Sequence, residues 1–200
     1  MLPNIHILGI QGSGKGTQSA LLTQKYGLSY VSSGELFRSR AAIDDELGRY
    51  LNEELSAGRY LADSYLFQVT GDYLQSASIR RGLLADGVIR TLGQEEGLRP
   101  VWERHSLEQP LLINLVLSEE VALERLIKRG ETEGRSDDHP EAIKRRFEQF
   151  HAMTEPVISI FQAQDRCITL DANQSVEALS SAIGAALEER YPSLASHVTD

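Results

Sequence analysis

Cysteine occurs once in this chain, at Cys167, and no apolar run approaches the ~20 residues of a membrane-spanning helix. A single cysteine excludes an internal disulfide framework and a four-cysteine zinc site. The apolar stretch near the N-terminus is too short, and lacks the basic flank, to be expected to act as a signal peptide. A cytoplasmic location with no membrane partner is the expectation. Positive charge is also scarce, with 20 Lys and Arg against 29 Asp and Glu and a net charge of -9. Such a chain has no overall electrostatic reason to approach nucleic acid or an anionic lipid surface, so any anionic ligand must be held by local charge. Lysine is the rarest of these: only four of the 20 basic residues are lysine and 16 are arginine, whose planar fork suits phosphate and carboxylate.

What is present suffices for one hydrophobic core, at 200 residues and 41% hydrophobic composition. Short apolar runs alternate with amphipathic stretches, the pattern of a parallel sheet wrapped by helices. Strands are expected at 5–9, 28–31, 82–86, 110–117 and 167–170, and helices at 15–25, 92–105, 119–129, 140–165 and 175–190. The interval 32–80 has no strand-like run and reads as an inserted group of short helices broken near Gly58. The stretch "GETEGRSDDHP" (130–140) combines glycine, charge and a closing proline, as a mobile loop does. The C-terminal "YPSLASHVTD" reads as a polar, dispensable tail.

The stretch "GIQGSGKGT" (9–17) fits G-x-x-x-x-G-K between an expected strand and an expected helix. In that context the pattern is a phosphate-binding loop. Glycines at 9, 12, 14 and 16 free the backbone to turn its N–H groups inward, and the helix N-terminus behind them adds its dipole. Lys15 supplies a point charge, and the hydroxyl of Thr17 or Ser13 can serve phosphate or a magnesium shell. Asp86 ends the third expected strand, where an acidic residue can orient magnesium-bound water.

The fuller form "GIQGSGKGTQ", followed in order by "SSGELFR" (32–38), "AGRYLAD" (57–63), "LLADGVIRTLGQ" (83–94), "ERLIKRG" (124–130) and "GRSDD" (134–138) with "IKRRF" after it, resembles adenylate kinase and the other nucleoside monophosphate kinases. The resemblance covers residues 5 to 175 and implies an α/β phosphate-loop fold of three layers with a five-stranded parallel sheet. It divides the chain into a core (1–31, 81–129 and 140–200), a helical monophosphate-binding insertion (32–80) and a short lid (130–139). The activity implied is ATP + AMP to and from two ADP, with Mg2+ accompanying ATP and a monomer as the default. The same chemistry on CMP, UMP or dAMP, and a noncatalytic adenine-nucleotide sensor, are the alternatives.

By the same resemblance, Gly12, Ser13, Gly14, Lys15, Gly16 and Thr17 bind ATP with Arg125 and Arg129, Arg125 packing against the adenine. Ser33, Arg38, Arg59, Tyr60, Leu61, Gly87, Arg90 and Gln94 bind AMP, together with Arg135 and Arg146. Lys15, Arg90, Arg129, Arg135 and Arg146 form the catalytic charge cluster, although a shift of one residue would exchange Arg146 with its basic neighbours Lys144 and Arg145. No side chain ligates metal directly, Asp86 acting through water. Asp137 and Asp138 can tie the lid to the arginines or cap the helix that follows. Serine at 33 and glutamine at 94 accompany AMP in this family, and a glutamine amide can read the adenine edge with one donor and one acceptor. Four positions depart from the family pattern: Gln11 for proline, Glu35 for aspartate, and Val88-Ile89 for Phe-Pro. The family's proline follows a cis bond, and a cis bond before a non-proline residue costs ~2.5 to 4 kcal/mol, so Val88-Ile89 is expected to be trans and the turn reshaped.

Overall fold

The computed structural model of the chain describes residues 3–133 and 138–195. Five strands, β1 (Asn4–Gly9), β2 (Ser29–Ser32), β3 (Leu83–Asp86), β4 (Leu111–Val116) and β5 (Cys167–Asp171), form one sheet in the order β2-β3-β1-β4-β5 with every pairing parallel. Each expected apolar run is therefore a strand. β1 is central and buried along all six residues, including its two polar side chains, His6 Nε2 and Asn4 Oδ1 lying 3.0 Å apart. From β1 the chain winds first to one side, towards β2 and β3, and then crosses to β4 and β5 on the other. That reversal opens a crevice at the carboxyl end of β1, the place where open parallel sheets bind ligands.

Helix α1 (Lys15–Tyr26) follows β1 and ends at Gly27, whose left-handed φ of 64° lets its N–H reach the Thr23 carbonyl. Between β2 and β3 lie α2 (Ser33–Ala41), α3 (Glu46–Ser56) and α4 (Asp63–Ser76), three helices in the interval where the sequence showed no strand. Helix α5 (Leu92–Arg104) carries Trp102 into the core at 0% exposure. The rest of the chain supplies α6 (Glu119–Glu133), α7 (Pro140–Gln149), α8 (Glu155–Ala163), α9 (Val176–Arg190) and α10 (Pro192–Ala195).

Three local expectations are corrected. The helix expected at 140–165 is divided by a π-helical turn at Phe150–Thr154. Pro156 is the physical reason, since it has no N–H to give and its ring crowds the carbonyl four residues back, inside that turn. The helix expected to stop at 129 runs on to Glu133, so the first residues of the supposed mobile loop are helical. Gly130 is not a breaker there: a Cβ on it would come within 3.3 Å of the Asp138 Cβ, so the glycine permits close packing. Finally, the C-terminal stretch is not wholly a free tail, because α10 places Leu194 in the core at 2% exposure. The Val88-Ile89 bond is trans, as expected, since no peptide is cis among the described residues, and both side chains are 1% exposed.

Candidate active site

The loop from β1 to α1 owes its path to glycine. Gly12 and Gly14 have φ of 88° and 91°, and at Gly9 a Cβ would fall 2.5 Å from the Leu115 carbonyl oxygen on β4. Lys15, the first residue of α1, folds back so that its Nζ donates to the Gly9 carbonyl at 2.8 Å and the Ile10 carbonyl at 3.1 Å. Burial pushes its ammonium down to about 8, opposed by Asp86 and reinforced by Arg90, Arg146 and Arg129. The two candidate hydroxyls differ: Ser13 is wholly buried and its Oγ has no hydrogen-bond partner, whereas Thr17 is exposed in the cleft. Gly16 leaves the start of α1 open towards Asp86, whose Oδ2 would lie 4.0 Å from a Cβ there. Tyr30 donates to the same Oδ2 at 3.4 Å, and burial beside Asp86 holds its phenol in the protonated form.

This loop floors a cleft of about 700 Å³ at the sheet's carboxyl edge. Lys15, Arg38, Arg90, Arg125, Arg129 and Arg146 all line it. An acidic protein has thus gathered six cations from five separate segments around one cavity. Of the three consecutive basic residues on α7, Arg146 faces the cleft, while Arg145 donates to the Ala57 carbonyl at 2.7 Å and Lys144 pairs with Glu148 at 3.9 Å. Arg125 reaches the carbonyls of Gly12 at 3.5 Å and Ala172 at 3.3 Å. Arg135 and Asp137 lie outside the described residues.

Asp138 joins two of these arginines. Its carboxylate, with the side chain 0% exposed, accepts both Nε (2.6 Å) and Nη2 (2.8 Å) of Arg129 and a third bond from Arg146 Nη1 at 3.2 Å. The cap of α7 is instead His139, whose Nδ1 accepts the Ala142 N–H at 3.4 Å. Removing one member of a buried pair leaves charge without its compensation, so Asp138→Ala is expected to destabilise the protein by about 3 kcal/mol in denaturant titration, and Asp138→Asn by less. A loss below about 0.5 kcal/mol for Asp138→Ala, the range of an ordinary surface change, would show that the bridge contributes nothing to the fold.

A second, smaller pocket of about 60 Å³ adjoins the cleft, sharing Gly34, Tyr60, Gly87 and Arg90 with it. Its walls are the apolar side chains of Phe37, Leu55, Leu61, Leu66 and Val88, with Gln94 and Ser33 as polar members. Arg90 is held from several directions: Nε donates to the Gly87 carbonyl at 2.8 Å, Nη2 to Ser33 Oγ at 3.4 Å, and the guanidinium lies 5.2 Å from the centre of the Tyr60 ring. Ser33 Oγ donates in turn to the Gly87 carbonyl at 2.8 Å. Arg59 lines this pocket too, but its guanidinium is committed to Glu54, at 2.7 Å from Nε and 2.5 Å from Nη2.

Sequence reasoning missed Thr154. The residue is 1% exposed, lines the cleft from the π-helical turn, and donates its hydroxyl to the Arg90 carbonyl at 3.1 Å. Tyr60 Oη stands 3.2 Å from Thr154 Oγ1, which makes Tyr60 the donor in that second bond because the threonine proton is already given. Pro156, inside an otherwise helical pattern, was the available signal for this irregular turn.

A family model described as "Adenylate kinase" matches residues 7–166 of this chain. The chain is 32% identical to the adenylate kinase of Phocaeicola vulgatus over 186 residues, 93% of this chain and 98% of the relative. It is 32% identical to that of Maricaulis maris over 187 residues, 94% of this chain and the whole of the relative. The adenylate kinase of Parabacteroides distasonis shares 30% identity over 174 residues, covering 87% and 92% of the two chains.

Proposed function

The chain belongs to the adenylate kinase family, and from that premise we infer that it is an ATP-dependent nucleoside monophosphate kinase interconverting ATP + AMP and two ADP. The observation that carries this reading is the convergence of six cations on one cleft of an otherwise acidic molecule. Phosphoryl transfer asks little covalent chemistry of a protein; it needs two anions aligned, charge neutralised and water excluded. An oxygen of the AMP phosphate attacks the terminal phosphorus of ATP. As that bond forms, the bond to the bridging oxygen breaks, and ADP is both product and leaving group.

Within this reading the loop N–H groups and Lys15 hold the phosphates of ATP, with Arg125 against the adenine and Thr17 as the available hydroxyl. Arg38 and Arg90 hold the acceptor phosphate, and Arg129 and Arg146 neutralise the phosphoryl group in transit. The apolar pocket beside Gln94 takes the acceptor's base. Helices α2–α4 are the acceptor-binding insertion and 130–139 the lid, with Asp138 linking the lid's edge to Arg129 and Arg146. Arg59, engaged by Glu54, is left to contribute through its backbone.

Magnesium fits the residues present. Among the described residues no three His, Cys, Asp or Glu cluster as a metal-holding group, whereas Asp86 and Thr17 offer isolated hard oxygens beside the loop. Such a donor set suits Mg2+, which keeps most of its waters and takes substrate phosphates as ligands. Bound there through water by Asp86, it would offset phosphate charge. No helix among the described residues is long and apolar enough to cross a membrane. Action in the cytoplasm as a monomer completes the reading, and the single cysteine, Cys167, allows no disulfide within the sequence given.

Val88, which lines the acceptor pocket, and the buried Ile89 beside it stand where the family pattern has Phe-Pro and favour a second reading, the same chemistry on another monophosphate. Mg-ATP offered with AMP, dAMP, CMP, UMP and GMP in turn separates the two. AMP is expected to give the highest rate of diphosphate formation; another acceptor in first place would move the substrate but keep the mechanism. Tight nucleotide binding without turnover on any of the five would identify a sensor.

A further inference from the structure

Gln94 does not hang free in the acceptor pocket. Its Nε2 donates to Asp63 Oδ1 at 2.8 Å, across from α5 to the first residue of α4, and its Oε1 accepts the Arg90 backbone N–H at 2.7 Å. Thr91 Oγ1 meanwhile accepts the Gln94 backbone N–H at 3.1 Å, so that main chain and side chain are both held at the start of α5. This is a capping box whose glutamine reaches one residue further back than usual. Gly93 makes room for it, because a Cβ there would lie 3.0 Å from Asp63 Oδ2.

A glutamine amide is ordinarily free to turn over, exchanging its donor and acceptor ends. Neither partner here permits that. A backbone N–H can only donate and a carboxylate can only accept, so the turned amide would set donor against donor at Arg90 and acceptor against acceptor at Asp63. The orientation follows from the chemistry of the partners rather than from any choice between nitrogen and oxygen. Each end of the amide has one unused capacity, an N–H on Nε2 and a lone pair on Oε1, and Gln94, at 4% exposure, lines the pocket to which they remain available.

We propose that Asp63 is a specificity-determining positioning residue, which locks the Gln94 amide in the single orientation that pairs with a 6-aminopurine and rejects a 6-oxopurine. The proposal rests on the reading of this pocket as the acceptor's base site. Adenine offers an acceptor at N1 and a donor at its amino group, matching the fixed N–H and lone pair. Hypoxanthine reverses both, with a proton on N1 and an oxygen at position 6. To bind it in the same register, the amide would have to turn against both partners. Discrimination therefore comes from a penalty on the wrong base as much as from contacts with the right one.

The test compares kcat/KM for AMP with kcat/KM for IMP in the full chain with Mg-ATP. In Asp63→Ala one of the two restraints is gone, and the AMP/IMP ratio is expected to fall about tenfold or more. Asp63→Ser is the second unlocking variant, since a hydroxyl donates as readily as it accepts, and it should give the same fall even if the alanine variant folds poorly. Asp63→Asn keeps the size of the side chain, but its amide can turn to donate as well as accept, so it too should lose the ratio, which separates loss of the lock from loss of shape. A purely structural role would lower both substrates together and leave the ratio within twofold, which overturns the proposal. Wild-type protein that turns over other acceptors but not AMP would instead overturn the reading of the base site, and the lock with it.

Discussion

Replacing Lys15 with alanine should lower kcat/KM for ATP about a thousandfold, or ~4 kcal/mol of transition-state stabilisation, while leaving the protein at least as stable at pH 7. The loss follows from position: Lys15 is the one lysine lining the cleft, set at the N-terminus of α1 among the left-handed glycines of the loop. Retained stability follows from its titration. Its folded value of about 8 lies below the ordinary 10.5, so the native state holds that proton less tightly than the unfolded chain does. The resulting penalty on folding is fully present below about 8 and disappears as pH rises through 10.5, so the alanine variant's relative advantage is confined to the lower range. The same value governs activity. For free enzyme, kcat/KM for ATP should decline above pH 8, approaching tenfold per unit as the charge is lost. A rate profile flat to pH 9, or a variant within tenfold of wild type, would remove Lys15 from the phosphate site. Melting curves at pH 7 distinguish loss of charge from loss of fold.

Those features were legible because they are local. A strand, four glycines and a lysine within a dozen residues determine their own geometry, and the β1–α1 loop follows from that stretch alone. The inner strands β1, β3 and β4 were similarly readable, since burial on both faces makes a strand mostly apolar, whereas the edge strands β2 and β5 are only partly buried and showed as shorter apolar runs. The π-helical turn was not, because hydrophobic periodicity cannot distinguish a regular helix from one carrying an extra residue in a turn. Only Pro156 hinted at the break, from which Thr154 reaches the Arg90 carbonyl. Asp63 and Gln94 each stand in a recognisable segment, but their bond spans 31 positions and depends on how α4 is laid against α5. Arg59 lines the smaller pocket as its motif suggests, but the bond that Glu54, five residues before it, makes to the guanidinium depends on how α3 ends and could not be read from the motif. Asp138 was readable as a choice between two roles; its bonds to Arg129 and Arg146, with His139 capping α7, tell the two apart.

Arg90→Ala should lower kcat/KM for AMP by at least ~100-fold, about 2.7 kcal/mol. The size of the effect comes from how much of the structure is spent on holding this one side chain. Its Nε is fixed by the Gly87 carbonyl and one Nη2 bond by Ser33, while Tyr60 covers the face of the guanidinium. Its backbone is pinned at both ends, the N–H by Gln94 and the carbonyl by Thr154. No carboxylate pairs with it among the described residues, in contrast to Arg129, which Asp138 engages twice. The remaining N–H groups are thus preorganised for an anion where the cleft meets the smaller pocket, and little rotamer entropy is left to lose on binding. Alanine removes the charge and the fork together. Arg90→Lys should recover only part of the activity, because an ammonium cannot satisfy Gly87, Ser33 and a phosphate with the same geometry. KM for AMP should rise more than KM for ATP, since the proposed assignment gives Arg90 the acceptor phosphate. A change within twofold for Arg90→Ala, or a loss that falls equally on both nucleotides' KM, would reject the assignment and move the acceptor phosphate towards Arg38.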